Sequence, residues 1–215
     1  MKPYYQDSAV TIYHGDCNNI MKDLPKPKLV LTDPPYGINW NTNYSRFTNG
    51  MLSYARKDEP KITGDINTNV DSIFGDWELI WWGAYLMPWK IKKVGSWLIW
   101  DKRFSNGTAM LSDAELAYWS SGSGAYIYHY TWQGMIKGES GKPEQRLHPT
   151  EKPVSLMAWC INKSKADGLI VDPYMGSGPV LRAAKDLNRK AIGIEIEEKY
   201  CEIAANRMCQ EVLEL

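Results

Sequence analysis

The stretch from residue 169 to residue 196 constrains the fold of this chain more than any other. Leu169-Ile170-Val171-Asp172 reads as a short buried strand, and Gly176-Ser177-Gly178 as a tight turn that opens a helix at Pro179, where proline is tolerated. Val180, Leu181, Ala184 and Leu187 recur at helical spacing and form that helix's inner stripe. Ala191 to Ile196 supplies the next strand, ending at Glu195, an acid roughly 20 residues past the turn. Alone, the glycine turn is better read as ordinary punctuation. Between Asp172 and Glu195 it matches the nucleoside-binding half of a Rossmann-type sheet, with glycines that let a ligand approach the backbone and an acid placed for ribose hydroxyls. The third glycine of a dinucleotide fingerprint is missing, and Asp172 would repel a pyrophosphate but attract an ammonium. The pattern points away from NAD and toward an amino-acid-bearing nucleoside.

A second acid stands at another strand end. Leu29-Val30-Leu31 reads as a buried strand, stopped by Asp33-Pro34-Pro35-Tyr36. Asp33 can accept a hydrogen bond from an amino group, the Pro34 carbonyl can accept another, and Tyr36 can stack on a flat ring. These residues describe a clamp for a planar base with an exocyclic amine, although an Asp-Pro-Pro run taken by itself is better read as a plain turn.

The remaining elements follow from pattern. Ala9 to Tyr13 predicts a strand leading to His14-Gly15-Asp16, and Asn18 to Leu24 a brief helix. A right-handed crossover then brings Asp16 and Asp33 to one edge of a parallel sheet. Gly37 to Asp65 is polar and aperiodic, with Tyr44, Arg46, Arg56, Lys57 and Lys61 mixing rings and positive charge as a nucleic-acid contact would; a merely solvated loop fits as well. The apolar spacing from Asp71 to Trp89 predicts one packed helix. Gly95 to Asp101 predicts a strand followed by the basic pair Lys102 and Arg103. Ala114 to Trp119 fits either period, and Ala125 to Trp132 favours a strand. Gly134 to Leu147 reads as a loop with a second basic cluster, Lys137, Lys142 and Arg146. Pro153 to Lys163 and Glu198 to Leu213 read as amphipathic helices.

Composition narrows the classes. A chain of 215 residues suits one substantial α/β core. Its 25 basic and 25 acidic residues cancel, so any nucleic-acid contact must come from a local patch. Cys17, Cys160, Cys201 and Cys209 form no CxxC pair and show no metal spacing, which predicts reduced thiols, no metal and a cytoplasmic protein without a signal peptide or membrane span.

Five pieces carry a resemblance: Gly15-Asp16-Cys17, Asp33-Pro34-Pro35-Tyr36, His148-Pro149-Thr150-Glu151-Lys152-Pro153, Val171-Asp172-Pro173-Tyr174-Met175-Gly176-Ser177-Gly178 and Gly193-Ile194-Glu195. In this order the chain resembles the amino-methylating DNA methyltransferases that use S-adenosylmethionine, in their circularly permuted beta group. The resemblance implies one methyltransferase domain over 1–215 with a mostly parallel Rossmann-like sheet, helices on both faces, and DNA-gripping insertions at 37–65 and 133–147. Lys102 and Arg103 would join those grips. It implies catalysis by Asp33, Pro34, Pro35 and Tyr36 on a base flipped from double-stranded DNA. Asp172, Tyr174, Gly176, Ser177 and Gly178 would line the methionine end of the cofactor, Glu195 would hold the ribose, and Asp16 with Cys17 the adenine edge. Thr150 and Lys152 would lie near the cofactor carboxylate, although Lys152 reads equally well as an exposed charge. The family usually has Phe where Tyr174 stands and Thr where Pro179 stands, which removes one hydroxyl. Adenine is the expected target because cytosine-modifying relatives usually carry Ser at the position of Asp33. Cytosine N4, RNA, a non-catalytic DNA-binding protein and a nicotinamide reductase are the alternatives, and a homodimer is a family expectation.

Overall fold

The computed structural model describes residues 1–37, 69–103, 112–133, 136–137 and 151–210. The chain divides into two compact units: Met1–Pro34 with Val70–Leu215, and Pro35–Asn69. The first unit carries all the elements that follow. In chain order these begin with β1 (Tyr5–Gln6), β2 (Val10–His14), α1 (Cys17–Ile20), β3 (Leu29–Thr32), β4 (Glu78–Trp82), β5 (Ser96–Asp101), β6 (Ala114–Trp119) and β7 (Ala125–His129). A small hairpin, β8 (Trp132–Gln133) with β9 (Ile136–Lys137), precedes α2 (Val154–Ser164), β10 (Ile170–Asp172), α3 (Pro179–Asp186), β11 (Ala191–Glu195) and α4 (Glu198–Cys209).

Nine strands form one sheet in the order β1-β2-β11-β10-β3-β4-β6-β5-β7. The run from β2 to β4 is parallel, with β6 antiparallel to both β4 and β5. From β10 the chain crosses through α3 to β11 on one side, whereas β3 leads to β4 on the other. The gap between the carboxyl ends of β10 and β3 is therefore the switch point of the sheet, where α/β folds seat their ligands. Asp172 and Asp33 stand at those two ends, and Asp16 follows β2 on the same edge, as the sequence predicts.

Alternate strand residues divide the core into two layers. Ile12, Leu29, Leu31, Ile80, Trp82 and Leu98 pack with Leu156, Met157, Cys160, Leu181 and Ala204 of α2, α3 and α4. Val30, Leu79, Trp81, Val171 and Ile192 face the other way, onto Val70, Ile73, Ala84 and Met87. Among the described residues, that second face carries α1 and single 3-10 turns.

Two sequence expectations change. The helix predicted over Asp71–Trp89 is β4, bracketed by 3-10 turns at Asp71–Ile73, Ala84–Leu86 and Pro88–Lys90. Leu79 to Trp82 are all buried, because a strand in the middle of the sheet is covered on both faces; its apolar run then mimics helical spacing. Gly83, at φ 74°, turns the chain out of the strand. The predicted 134–147 loop contains β9, so the second strand of a hairpin lies where only irregular chain was expected. Ala114–Trp119, undecided by period, is a strand.

Gly193 shows how closely the layers approach. A Cβ there would meet Met175 Sδ at 2.4 Å and Leu181 Cδ2 at 2.7 Å, while Met175 N–H donates to the Ile194 carbonyl at 3.0 Å. Gly193→Ala should cost about 1–3 kcal/mol by overpacking, read as a lower urea midpoint at unchanged m-value.

Candidate active site

Residues from both sides of the switch point line one cleft: Asp33, Glu151, Lys152, Met157, Asp172, Tyr174, Met175, Gly176, Ser177, Pro179 and Val180. Strand pairing explains why. Val171 lies opposite Val30 in the β10–β3 ladder, so the ends of the two strands are fixed side by side. The Thr32 hydroxyl donates to Asp172 Oδ1 at 2.8 Å, a buried bond that ties the two tips together.

The glycine turn is shaped by its backbone. Gly176 and Gly178 sit at φ 51° and 79°, in the left-handed region that side chains disfavour. Gly178 is also tightly packed, since a Cβ would lie 3.0 Å from Ala204 Cβ on α4. Gly178 N–H donates to the Met175 carbonyl at 2.9 Å, and Pro179 then opens α3. Glu195 secures the turn from β11: its Oε2 accepts Gly176 N–H at 3.0 Å and its Oε1 accepts Glu197 N–H at 2.8 Å. Burial pushes the Glu195 carboxyl up, against these backbone donors. Each oxygen keeps a second lone pair, so the residue can brace the turn and still accept a ligand hydroxyl.

Asp172 is buried at the cleft wall. Thr32 and Tyr174 N–H, the latter at 3.1 Å, both donate to Oδ1. Burial raises its carboxyl to about 7, against those two bonds, and the charges of Asp33 and Glu195 add to the rise. A carboxylate in that condition is suited to a cationic ligand group, which would restore its ionised form.

Lys152 is buried, with 6% of its side chain exposed, so the exposed-charge reading falls. Its Nζ lies 2.5 Å from Asp33 Oδ2 and 3.1 Å from Glu115 Oε2. Glu115 Oε1 in turn accepts from Lys102 at 2.9 Å. Burial works to raise the Glu115 carboxyl, but Lys152 and Lys102 hold it down to about 2. Sequence reasoning missed Glu115, because it stands alone in a strand whose period was undecided. It also missed Arg207, which pairs with Glu151 and reaches Ser177 Oγ at 3.5 Å, steadying the far wall of the turn.

Other predicted residues fall into three groups. Asp16 caps α1, its Oδ1 accepting Asn18 N–H and Nδ2–H, each at 2.9 Å; Cys17 is buried against Ser72 at 3.5 Å. Neither lines the cleft, although both stand on its edge of the sheet. Lys102 pairs with Glu115, and Arg103 is bound through Nε and Nη2 to Asp101. Pro34 is buried beside Asp33, whereas Pro35 and Tyr36 belong to the second unit. Tyr44, Arg46, Arg56, Lys57, Lys61, Lys142, Arg146 and Thr150 lie outside the described residues; Lys137 lies in β9.

This geometry agrees with comparisons to known proteins. The DNA methylase (N6/N4) family model matches residues 28–206. The chain belongs to that family, the DNA amino-methyltransferases. The Type II methyltransferase M.HinfI of Haemophilus influenzae is 28% identical over 265 residues, covering 97% of this chain and 70% of its own length. M.ScaI of Streptomyces caespitosus is 24% identical over 262 residues, covering 100% and 86%. Among solved structures, the cytosine-N4-specific PvuII DNA methyltransferase superposes with a TM-score of 0.62 at 16% identity, covering 99% of this chain and 91% of that one. M1.HpyAVI in complex with S-adenosylmethionine gives 0.53 at 20% identity, covering 94% and 100%. At these identities the two structures establish the fold: a Rossmann-like methyltransferase sheet.

The raised carboxyl makes a stability prediction. In the free protein Asp172 contributes stability that is complete below its ordinary value of 3.8 and is lost as pH rises through about 7. Asp172→Asn should therefore raise the melting temperature more at pH 8 than at pH 5, by roughly 3 °C or more. Calorimetric scans at the two pH values test this, and equal gains at both would contradict it.

Proposed function

We propose that this protein transfers a methyl group from S-adenosylmethionine to the N6 amine of an adenine flipped from double-stranded DNA. The observation that carries the reading is the single cleft shared by Asp33 and the glycine turn at 176–178. The cofactor is S-adenosylmethionine, and the residues present suit it: a buried acid in need of a cation, a side-chain-free turn, and an acid at the next strand end. When bound, the cofactor supplies an electrophilic methyl on sulfur. Asp172 would hold its ammonium, Gly176, Ser177 and Gly178 its methionine end, and Glu195 its ribose hydroxyls, with Tyr174 beside them. Asp16, Cys17 and Thr150 complete the cofactor side of this reading.

The protein's own task is to make a poor nucleophile competent. An aromatic amine has its lone pair delocalised into the ring. Accepting its two N–H bonds at Asp33 and the Pro34 carbonyl favours a pyramidal nitrogen with the lone pair aimed at the methyl carbon. With the cofactor bound, methyl transfer would join the amine nitrogen to the methyl carbon as the sulfur–carbon bond breaks, and the methylated amine would lose a proton to solvent. Pro35 stiffens the turn and Tyr36 offers a ring for the flipped base, which must leave the helix at a cost of a few kcal/mol. DNA is gripped by 37–65 and 133–147, through Tyr44, Arg46, Arg56, Lys57, Lys137, Lys142 and Arg146. These insertions decorate one methyltransferase domain, whose segment order is that of the permuted beta group. Adenine is favoured over cytosine because an acid, not Ser, stands at position 33.

Tritiated methyl transfer to unmethylated DNA tests the reaction. Asp33→Ala should lose activity by about 100-fold or more while still binding S-adenosylmethionine. Mass spectrometry of the digested product should find N6-methyladenine; N4-methylcytosine would overturn the adenine assignment, and no product with cofactor bound would favour a non-catalytic DNA-binding protein. A second measurement addresses Asp172. Only its ionised form attracts the ammonium, so calorimetry should find cofactor affinity about tenfold weaker at pH 6 than at pH 8, a slope that Asp172→Asn removes.

A further inference from the structure

A ligand amino acid carries its ammonium and its carboxylate on one carbon. Seating the ammonium on Asp172 therefore brings the carboxylate to the same end of the cleft, beside the glycine turn. Among the described residues the cleft lining holds three acids, Asp33, Asp172 and Glu151, and one cation, Lys152, which is paired with Asp33. An arriving carboxylate thus meets like charge, which opposes binding. Arg207 offsets this from α4, outside the lining. Its Nη2 pairs with Glu151 Oε1 and its Nη1 lies 3.5 Å from Ser177 Oγ, so one guanidinium joins the two segments and places Glu151 at the turn. Only 11% of the Arg207 side chain and 7% of the Glu151 side chain are exposed, so solvent ions screen the pair little. The end of α4 that carries Arg207 is held in turn by α3: the Arg207 carbonyl accepts from Arg182 Nη1 at 3.4 Å, and the Met208 carbonyl from Lys185 Nζ at 2.8 Å. Gly178 caps the start of the same helix, so the guanidinium and the turn share one support.

We propose that Arg207 is a positioning residue for the cofactor: by offsetting the Glu151 carboxylate it lets this end of the cleft accept the carboxylate of S-adenosylmethionine, and so makes the site select a nucleoside that bears a complete amino acid. This rests on the reading of Asp172 as the partner of the ligand ammonium. Arg207 acts through Glu151 and Ser177, and its loss leaves the wall one positive charge poorer.

Binding to the full chain is measured by calorimetry at pH 8 with two ligands, S-adenosylmethionine and its decarboxylated form, which keeps the sulfonium and the ammonium but lacks the carboxylate. Arg207→Gln should weaken S-adenosylmethionine binding by about tenfold or more while changing that of the decarboxylated form by less than about threefold. Adding Glu151→Gln to Arg207→Gln should restore S-adenosylmethionine affinity to within about threefold of wild type, and Arg207→Lys, which keeps the charge, should retain most of it. The double variant removes both charges of the pair and so remains measurable where the single Arg207→Gln melts early; it should still favour the ligand with the carboxylate as the wild type does. Equal losses for the two ligands, wild-type affinity for S-adenosylmethionine in folded Arg207→Gln, or a double variant that has lost the wild-type preference would each overturn the proposal. Asp172→Asn binding both ligands as tightly as the wild type would instead overturn the reading on which it rests.

Discussion

The pairing of β10 with β3 is the interaction on which the cleft depends. Main-chain ladders hold the two strands in parallel register, and the Thr32 hydroxyl locks their tips through Asp172, a contact between residues 140 positions apart. Parallel neighbours in such a sheet need long crossovers, so their adjacency reflects the whole topology rather than any local preference. Once the register is fixed, the acid after β3 and the glycine turn after β10 have little freedom to part. A one-residue slip would turn Val171 from one core layer to the other and carry Asp172 with it.

Charge in the cleft follows from the same arrangement. Asp33, Asp172 and Glu151 line the cleft, Glu195 and Glu115 bond to residues that line it, and the described residues answer these acids with Lys152, Lys102 and Arg207. The groups are treated differently. Glu115 and Glu151 are tied to side-chain cations, whereas Asp172 and Glu195 receive hydroxyl or backbone donors and are raised by burial. The unneutralised acids lie on the β10–β11 side, next to the turn. A site with this distribution prefers a ligand that is positive at one end and rich in hydroxyls further along, which distinguishes it from a site for a polyphosphate.

Much of this was legible in the amino-acid pattern, and the exceptions have physical causes. The strands leading to Asp33, Asp172 and Glu195 were readable because each is a short apolar run closed by an acid, followed by proline in the first two cases. Asp71 to Trp89 was misread because a strand buried on both faces loses the alternation that marks a strand. Glu115 and Arg207 could not be found by motif. Each acts through a partner distant in sequence, Lys152 in one case and Glu151 in the other, and a lone acid on a strand or a lone arginine on a helix carries no spacing signal. Lys102 and Arg103 show what a basic pair after a strand does not reveal from pattern alone: both charges are paired with carboxylates of the same sheet.

The contact between Gly178 and Ala204 has a consequence for how such a chain can diverge. One position belongs to the turn of the cleft and the other to the closing helix, yet a single methyl fills the space between them. Neither can gain bulk unless the other yields, and the glycine has nothing left to give. Mutational drift at position 204 on the inner face of α4 is therefore limited by the shape of the turn, and substitutions there should be confined to residues no larger than alanine.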